Sequence, residues 1–130
     1  INEAKNKEIL LAIATSSSSK NVATLLESNL GKQALSLFET IVTCDIVEDK
    51  KPSPAVYQYA LAQMGLEAQD CIAIEDTYNG NLSALNTGIK TVITIHDFTV
   101  QDDFTGASLV IDNLGEPGQA FTVIDGNDFG

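Results

Sequence analysis

The sequence predicts an α/β fold, a doubly wound sheet of mostly parallel strands. Short apolar runs alternate with helical patterns along the whole chain, and the helical patterns stop at glycines. Three of the apolar runs are followed directly by chemistry-bearing residues: hydroxyls, a charged loop leading to lysine, and paired acids. Open parallel sheets bind ligands at the carboxyl ends of their strands.

In chain order, residues 5–8 are polar and residues 9–14 are apolar, the length of a buried strand. Thr15-Ser-Ser-Ser-Ser19 follows. The next pattern is helical, with Val22, Leu25 and Leu26 at helical spacing and Gly31 as its stop. A short helical piece over 33–38 precedes a second strand over 40–44, and 45–50 is a charged loop. Lys51-Pro-Ser-Pro54 then opens a helix, since proline suits the first turn. Its stripe is Val56, Tyr57, Ala60, Leu61 and Met64, and Gly65 ends it.

The third strand, 71–74, runs into Glu75 and Asp76, and a helix with Leu82 and Leu85 as its apolar stripe continues to Gly88. Residues 90–95 form the fourth strand. The loop 96–106 carries Asp97, Asp102 and Asp103. A short strand is expected over 108–111, a turn-rich stretch over 114–118 and one more strand over 121–124. With no internal repeat or long linker, residues 1–130 read as a single domain.

A formal net charge of −11 argues against nucleic acid and anionic membrane surfaces as partners, because both are bound through basic patches. It also means that a phosphate ligand needs a local cation. No apolar run approaches the ~18 residues of a membrane span, and no signal-peptide pattern is present, so the expected compartment is cytoplasmic. Cys44 and Cys71 lack metal-ligand spacing and lie in or beside apolar runs, so they read as buried reduced thiols. His96, the single histidine, receives no role.

In a parallel sheet the three strand ends lie along one edge, so Thr15 with its serines, Lys51, and the pair Glu75 and Asp76 can converge. A hydroxyl and an ammonium suit phosphate oxygens. Two adjacent carboxylates are costly unless a cation balances them, and hard oxygen ligands point to Mg²⁺. Phosphoryl transfer needs mainly such positioning and charge stabilisation. Each piece also has a plainer reading. The serine cluster can be a flexible loop or a helix cap, Lys50 and Lys51 can be solvated surface charge, and Asp76 or Thr77 can simply cap the following helix.

Three segments carry a family resemblance. Ile13-Ala-Thr-Ser-Ser-Ser-Ser-Lys-Asn-Val22 resembles motif II of the haloacid dehalogenase-like (HAD) hydrolases, Lys51-Pro-Ser-Pro-Ala-Val-Tyr57 the lysine-proline segment of motif III, and Ile74-Glu-Asp-Thr-Tyr-Asn-Gly80 motif IV. With Asp103-Phe-Thr-Gly-Ala107 and Leu114-Gly-Glu-Pro117, they are similar to the CbbY-like sugar-phosphate phosphatases near β-phosphoglucomutase. The resemblance implies a three-layer, Rossmann-like core with a mostly parallel sheet. It implies that Thr15 binds the transferring phosphate with Ser16 nearby, and that Lys51 stabilises the phosphate charge and the nucleophile. Asp76 becomes a direct Mg²⁺ ligand, Glu75 a support of the metal shell, and Asn79 and Asn21 more distant contributors. The implied substrate is a small phosphorylated sugar, with a pentulose bisphosphate as one candidate.

The family's nucleophile is an aspartate in an Asp-x-Asp motif on a strand near the N-terminus, and no Asp-x-Asp followed by Gly-Thr occurs here. Asp125-Gly-Asn-Asp128 follows an apolar run with the wrong spacing. The chain is therefore expected to be a partial HAD core, a fragment without the nucleophile strand or the helical cap and inactive alone. A missing N-terminal segment or a second chain is expected to complete the sheet, between the strands over 9–14 and 71–74. A phosphomutase of the same superfamily is the close alternative. A non-catalytic α/β module of the response-regulator or flavodoxin type is the distant one, but such modules lack a lysine-proline segment between the hydroxyl cluster and the acid pair.

Overall fold

A computed structural model describes residues 1–96 and 102–115 and the backbone of 123–126. Its strands and helices fall into two units, Ile1–Lys50 with Ala55–Leu66, and Lys51–Pro54 with Glu67–Gly130.

In the first unit the chain opens with a short helix, α1 (Asn2–Asn6), where the sequence pattern had shown only polar residues. The expected strand over 9–14 is shorter than its apolar run: β1 is Ala12–Ala14. Glu8 adopts a positive φ of 57°, and the Ile9 amide bonds back to the Ala4 carbonyl at 2.9 Å. The start of the run is thus spent closing α1, and Ile9 and Leu10 stay exposed. Next come α2 (Ser19–Leu30), a 3₁₀ turn (Ala34–Leu37) and β2 (Thr40–Val42). Strands β1 and β2 pair in parallel with Ile13 opposite Ile41. The helix after the Lys51-Pro-Ser-Pro54 segment is α3 (Ala55–Met64), which packs against both strands. Its stripe holds at Val56, Tyr57 and Ala60, which join Val22, Ala34 and Val42 in the buried core, while Leu61 and Met64 are only half-buried.

The second unit holds a 3₁₀ turn (Ala68–Asp70), β3 (Ile72–Glu75), α4 (Tyr78–Thr87), β4 (Lys90–Thr94), β5 (Leu109–Ile111) and β6 (Val123–Gly126). The sheet order is β3-β4-β5-β6, parallel except for β6, which runs antiparallel to β5. These are the mostly parallel sheets and flanking helices that the sequence predicts.

Two expectations fail in instructive ways. The run at 71–74 was expected to be buried throughout, yet β3 buries Ala73 and Glu75 and leaves Ile72 and Ile74 58% and 57% exposed. Side chains alternate across a strand, and only the face toward α4 is covered among the described residues. Helix α4 turns Gly80, Asn81, Ser83 and Ala84 inward, with Leu82 and Leu85 only half-buried. Its close packing on the sheet uses small residues and a satisfied polar pair: Thr91 Oγ1 donates to Asn81 Oδ1 at 2.7 Å, deep in the core. Gly88 takes the left-handed conformation (φ 89°, ψ 10°) that ends the helix.

Both cysteines are free but half-buried rather than buried. Burial, and then the charge of Asp70, push the Cys71 thiol upward, which keeps it a neutral thiol. Asp97, residues 116–118 of the expected turn, Phe121 and Thr122 of the last expected strand, and residues 127–128 lie outside the described residues.

Candidate active site

In the first unit, the chain leaves β1 into a turn stitched to the end of β2. The Thr15 amide donates to the Val42 carbonyl at 3.0 Å, and the Cys44 amide to the Ser17 carbonyl at 3.1 Å. Thr15 Oγ1 accepts from the Ser17 amide at 3.1 Å, which sets the turn tip, and Thr15 is half-buried while Ser16 is exposed. Ser18 is the residue that caps α2, its Oγ accepting from the Asn21 amide at 3.2 Å. The helix-cap reading of the serine cluster therefore holds for Ser18 and leaves Thr15 and Ser16 for other work.

The first amides of a helix attract negative charge, and here one of them is already used. The Ser19 amide donates to Asp45 Oδ2 at 2.7 Å, and Ser19 Oγ lies 2.8 Å from the buried Thr43 Oγ1. Hydrogen bonding from the Ser19 amide, and then from its side chain, holds the Asp45 carboxyl below its ordinary value. Thr15, Ser17, Lys20 and Asn21 line an open groove of about 550 Å³, together with Ile13 and Leu25.

In the second unit, Lys51 is not a solvated charge. Its Nζ pairs with Glu75 Oε1, and the two side chains are only 15% and 7% exposed. A buried ion pair of this kind is a weak source of net stability but fixes the position of both charges. Glu75 reaches this place because Gly80 has no side chain. A Cβ at position 80 would fall on the Glu75 carboxylate, so the first turn of α4 can lie directly against it. Thr77, not Asp76, caps α4, its Oγ1 accepting from the Gly80 amide at 3.0 Å.

Asp76 is left facing outward with its side chain 54% exposed, and its Oδ2 lies 3.5 Å from His96 Nε2. The two adjacent acids are thus divided by strand alternation, one neutralised inside and one open. Asn79 and Asn21 are both exposed. Among the described residues no three His, Cys, Asp or Glu side chains gather into a metal cage. Magnesium does not need one, since it is held through one or two carboxylates plus water and phosphate oxygens. The donor set fits: Asp76 offers an accessible carboxylate, and Glu75 Oε1 is paired with Lys51.

The pattern of the residues left four contributors unassigned. Asp45 was read only as part of a charged loop, His96 was given no role, and Gly80 and Ser83 were read as helix. Asp45 had a local signal, an acid just beyond a strand end, and Gly80 meets nearby Glu75; His96 and Ser83 depend on partners far apart in sequence.

Strand-end hydroxyls in one unit, and a fixed lysine beside an open carboxylate in the other, are residue types that suit phosphate oxygens and a hard cation. The chain belongs to the haloacid dehalogenase-like hydrolase family, whose family model matches residues 1–94, and within it to the CbbY-like branch. It is 43% identical over 119 residues to the plasmid-encoded protein CbbY of Cupriavidus necator, an alignment covering 92% of this chain and 47% of that protein. To protein CbbY of Cereibacter sphaeroides it is 35% identical over 118 residues, covering 91% and 51%. The crystal structure of CbbY from Rhodobacter sphaeroides in complex with phosphate superposes with a TM-score of 0.83 at 34% identity, covering 86% of this chain and 50% of that one. A mutant of that protein was solved in complex with Xylulose-(1,5)bisphosphate. The chain thus spans about half the length of the relatives it matches.

Proposed function

We propose that this chain is a partial HAD core, a single domain over 1–130, of a cytoplasmic Mg²⁺-dependent phosphatase acting on a small sugar phosphate. The observation that carries the reading is the division of labour at the end of β3. Lys51 is locked against buried Glu75, and Asp76 stays accessible beside it in sequence. A fixed ammonium is what a transferring phosphoryl group needs, because its charge grows on the oxygens while little covalent work falls to the protein.

In this reading Thr15, with Ser16, donates hydrogen bonds to the transferring phosphate. Lys51 offsets its charge and that of the attacking carboxylate, and Glu75 holds Lys51 in place. Asp76 is the direct ligand of Mg²⁺, which when bound neutralises phosphate charge. Asn79 and Asn21 contribute at longer range. The relative solved with xylulose bisphosphate supports a pentulose bisphosphate as the first substrate to try.

The attacking aspartate, which would form an aspartyl-phosphate, belongs in this reading to a part of the full-length protein outside these 130 residues. The open apolar face of β3, at Ile72 and Ile74, and the sides of β1 and β3 without a ladder partner among the described residues support a further segment or a second chain completing the sheet.

The test is magnesium binding and turnover in the full-length protein. Asp76→Asn should weaken Mg²⁺ binding by titration calorimetry and lower turnover of pentulose bisphosphate, while stability stays within about 0.5 kcal/mol because the side chain is half exposed. The 130-residue chain alone should release no phosphate from p-nitrophenyl phosphate. Unchanged Mg²⁺ affinity in Asp76→Asn, or metal-dependent turnover by the isolated chain, would refute the assignment.

A further inference from the structure

Lys51 lies in a stretch with no regular structure of its own, yet its side chain is fixed. What fixes it comes from one face of α4. Ser83 is completely buried, and its Oγ donates to the Ser53 carbonyl at 2.6 Å, across thirty residues of sequence. One turn further, Thr87 Oγ1 donates to the Ser83 carbonyl at 2.9 Å and lies 3.4 Å from the Pro54 carbonyl. One turn earlier stands Gly80, against which the Glu75 carboxylate packs. Positions 80, 83 and 87 share a helix face. That face therefore seats Glu75 at one end and ties the segment bearing Lys51 at the other.

A serine inside a helix ordinarily bonds back to its own preceding turn or faces water. Ser83 does neither. A helix packing on a sheet at this depth would be served as well by alanine, so the hydroxyl calls for another reason. We propose that Ser83 is a positioning residue for Lys51: its bond to the Ser53 carbonyl sets the 51–54 segment so that the Lys51 ammonium meets Glu75. The catalytic consequence rests on the phosphatase reading given above; the geometric claim does not.

Two measurements on the full-length protein separate them. In the first, Lys51 is labelled with an amine-reactive N-hydroxysuccinimide ester and read by mass spectrometry against the exposed Lys20 and Lys90. Ser83→Ala should raise Lys51 labelling by roughly five- to tenfold relative to those references, the size of one lost net hydrogen bond. Labelling of Lys51 that stays unchanged, or that rises equally at all three lysines, overturns the proposal. In the second, Ser83→Ala should lower kcat by a similar factor with KM within about twofold, and should add nothing in a Lys51→Ala background. An equal effect of Ser83→Ala with and without Lys51 overturns action through Lys51. If Lys51→Ala itself keeps full turnover, the phosphatase role of Lys51 fails, while the labelling result still decides the positioning claim. Should Ser83→Ala fail to fold, Ser83→Cys keeps nearly the same volume with a weaker donor and carries the same expectations.

Discussion

The turn after β1 and the acid pair after β3 are both strand ends, but they are built in opposite ways. The first is an exposed turn fixed mainly by backbone amides: Ser17 to Thr15 and Asn21 to Ser18 within the turn, and Ser19 to Asp45 beyond the next strand. Backbone amides do most of the donating, and each side chain can be altered almost independently. The second is a buried device in which Lys51 pairs with Glu75, Glu75 packs against Gly80, and Ser83 bonds the Ser53 carbonyl across thirty residues. There a single change leaves a charge or a polar group without its partner in a place water cannot easily reach. The difference suits the two tasks proposed for them. A turn of donors can adapt to an incoming phosphate, whereas a charge that stabilises a transition state must be in place beforehand.

The largest effect should therefore come from Lys51. In the full-length protein, Lys51→Ala is expected to lower turnover about 10²-fold. It should also destabilise the fold by about 3–5 kcal/mol, because Glu75 then loses its ammonium inside the protein. The double variant Lys51→Met with Glu75→Gln separates the two effects. It should recover much of the urea stability and none of the turnover. Recovery of turnover by that pair would show that the charge is not the catalytic element.

Gly80→Ala sharpens the same contrast at intermediate size. The added methyl falls on the Glu75 carboxylate, so the carboxylate or the helix must move. A loss of about 1–3 kcal/mol is expected from such overpacking, measurable by chemical denaturation. Glycine is required here for close approach alone, since no positive φ is involved. Full stability in Gly80→Ala would mean that Glu75 has room to relocate, and the comparison between a rigid and an adaptable end would weaken.

How much of this was legible in the sequence follows the same line. Alternation of apolar runs with Gly-terminated helices gave the order of strands and helices, and the mostly parallel sheet with it. Thr15 and the acid pair stand next to apolar runs, and Lys51 follows the charged loop after one, which makes the three strand-end groups legible. What spacing could not give is which acid goes inward. Glu75 and Asp76 are neighbours of identical charge, and only strand phase and the space at Gly80 separate them. The inward face of α4 departs from its hydrophobic pattern for a related reason. Hydrophobic period selects Leu82 and Leu85, but the sheet demanded close approach, and Asn81 and Ser83 meet it with partners at Thr91 and Ser53. Apolar length overstated β1, because one left-handed residue at Glu8 turned the start of the run back to α1.

The smallest effect belongs to the exposed turn and is read as a pH dependence. The Ser19 amide and hydroxyl hold the Asp45 carboxyl below its ordinary value of 3.8. A carboxylate whose folded pKa is depressed stabilises the fold wherever it is ionised in both states, and that contribution is lost as pH falls through the folded value. The wild-type protein should thus be slightly more stable than Asp45→Asn at neutral pH. The gap should stay constant down to about pH 5 and close as the solution is acidified below about pH 4. Because the carboxylate is exposed, the gap should also shrink with added salt, unlike the effect of Lys51→Ala. Urea midpoints of both variants across that pH range, at low and high salt, provide the measurement. A gap that persists unchanged at pH 2, where Asp45 is protonated in both states, would mean that Asp45 acts through its shape and not its charge. The turn after β1 would then resemble the rigid strand end more than the adaptable one.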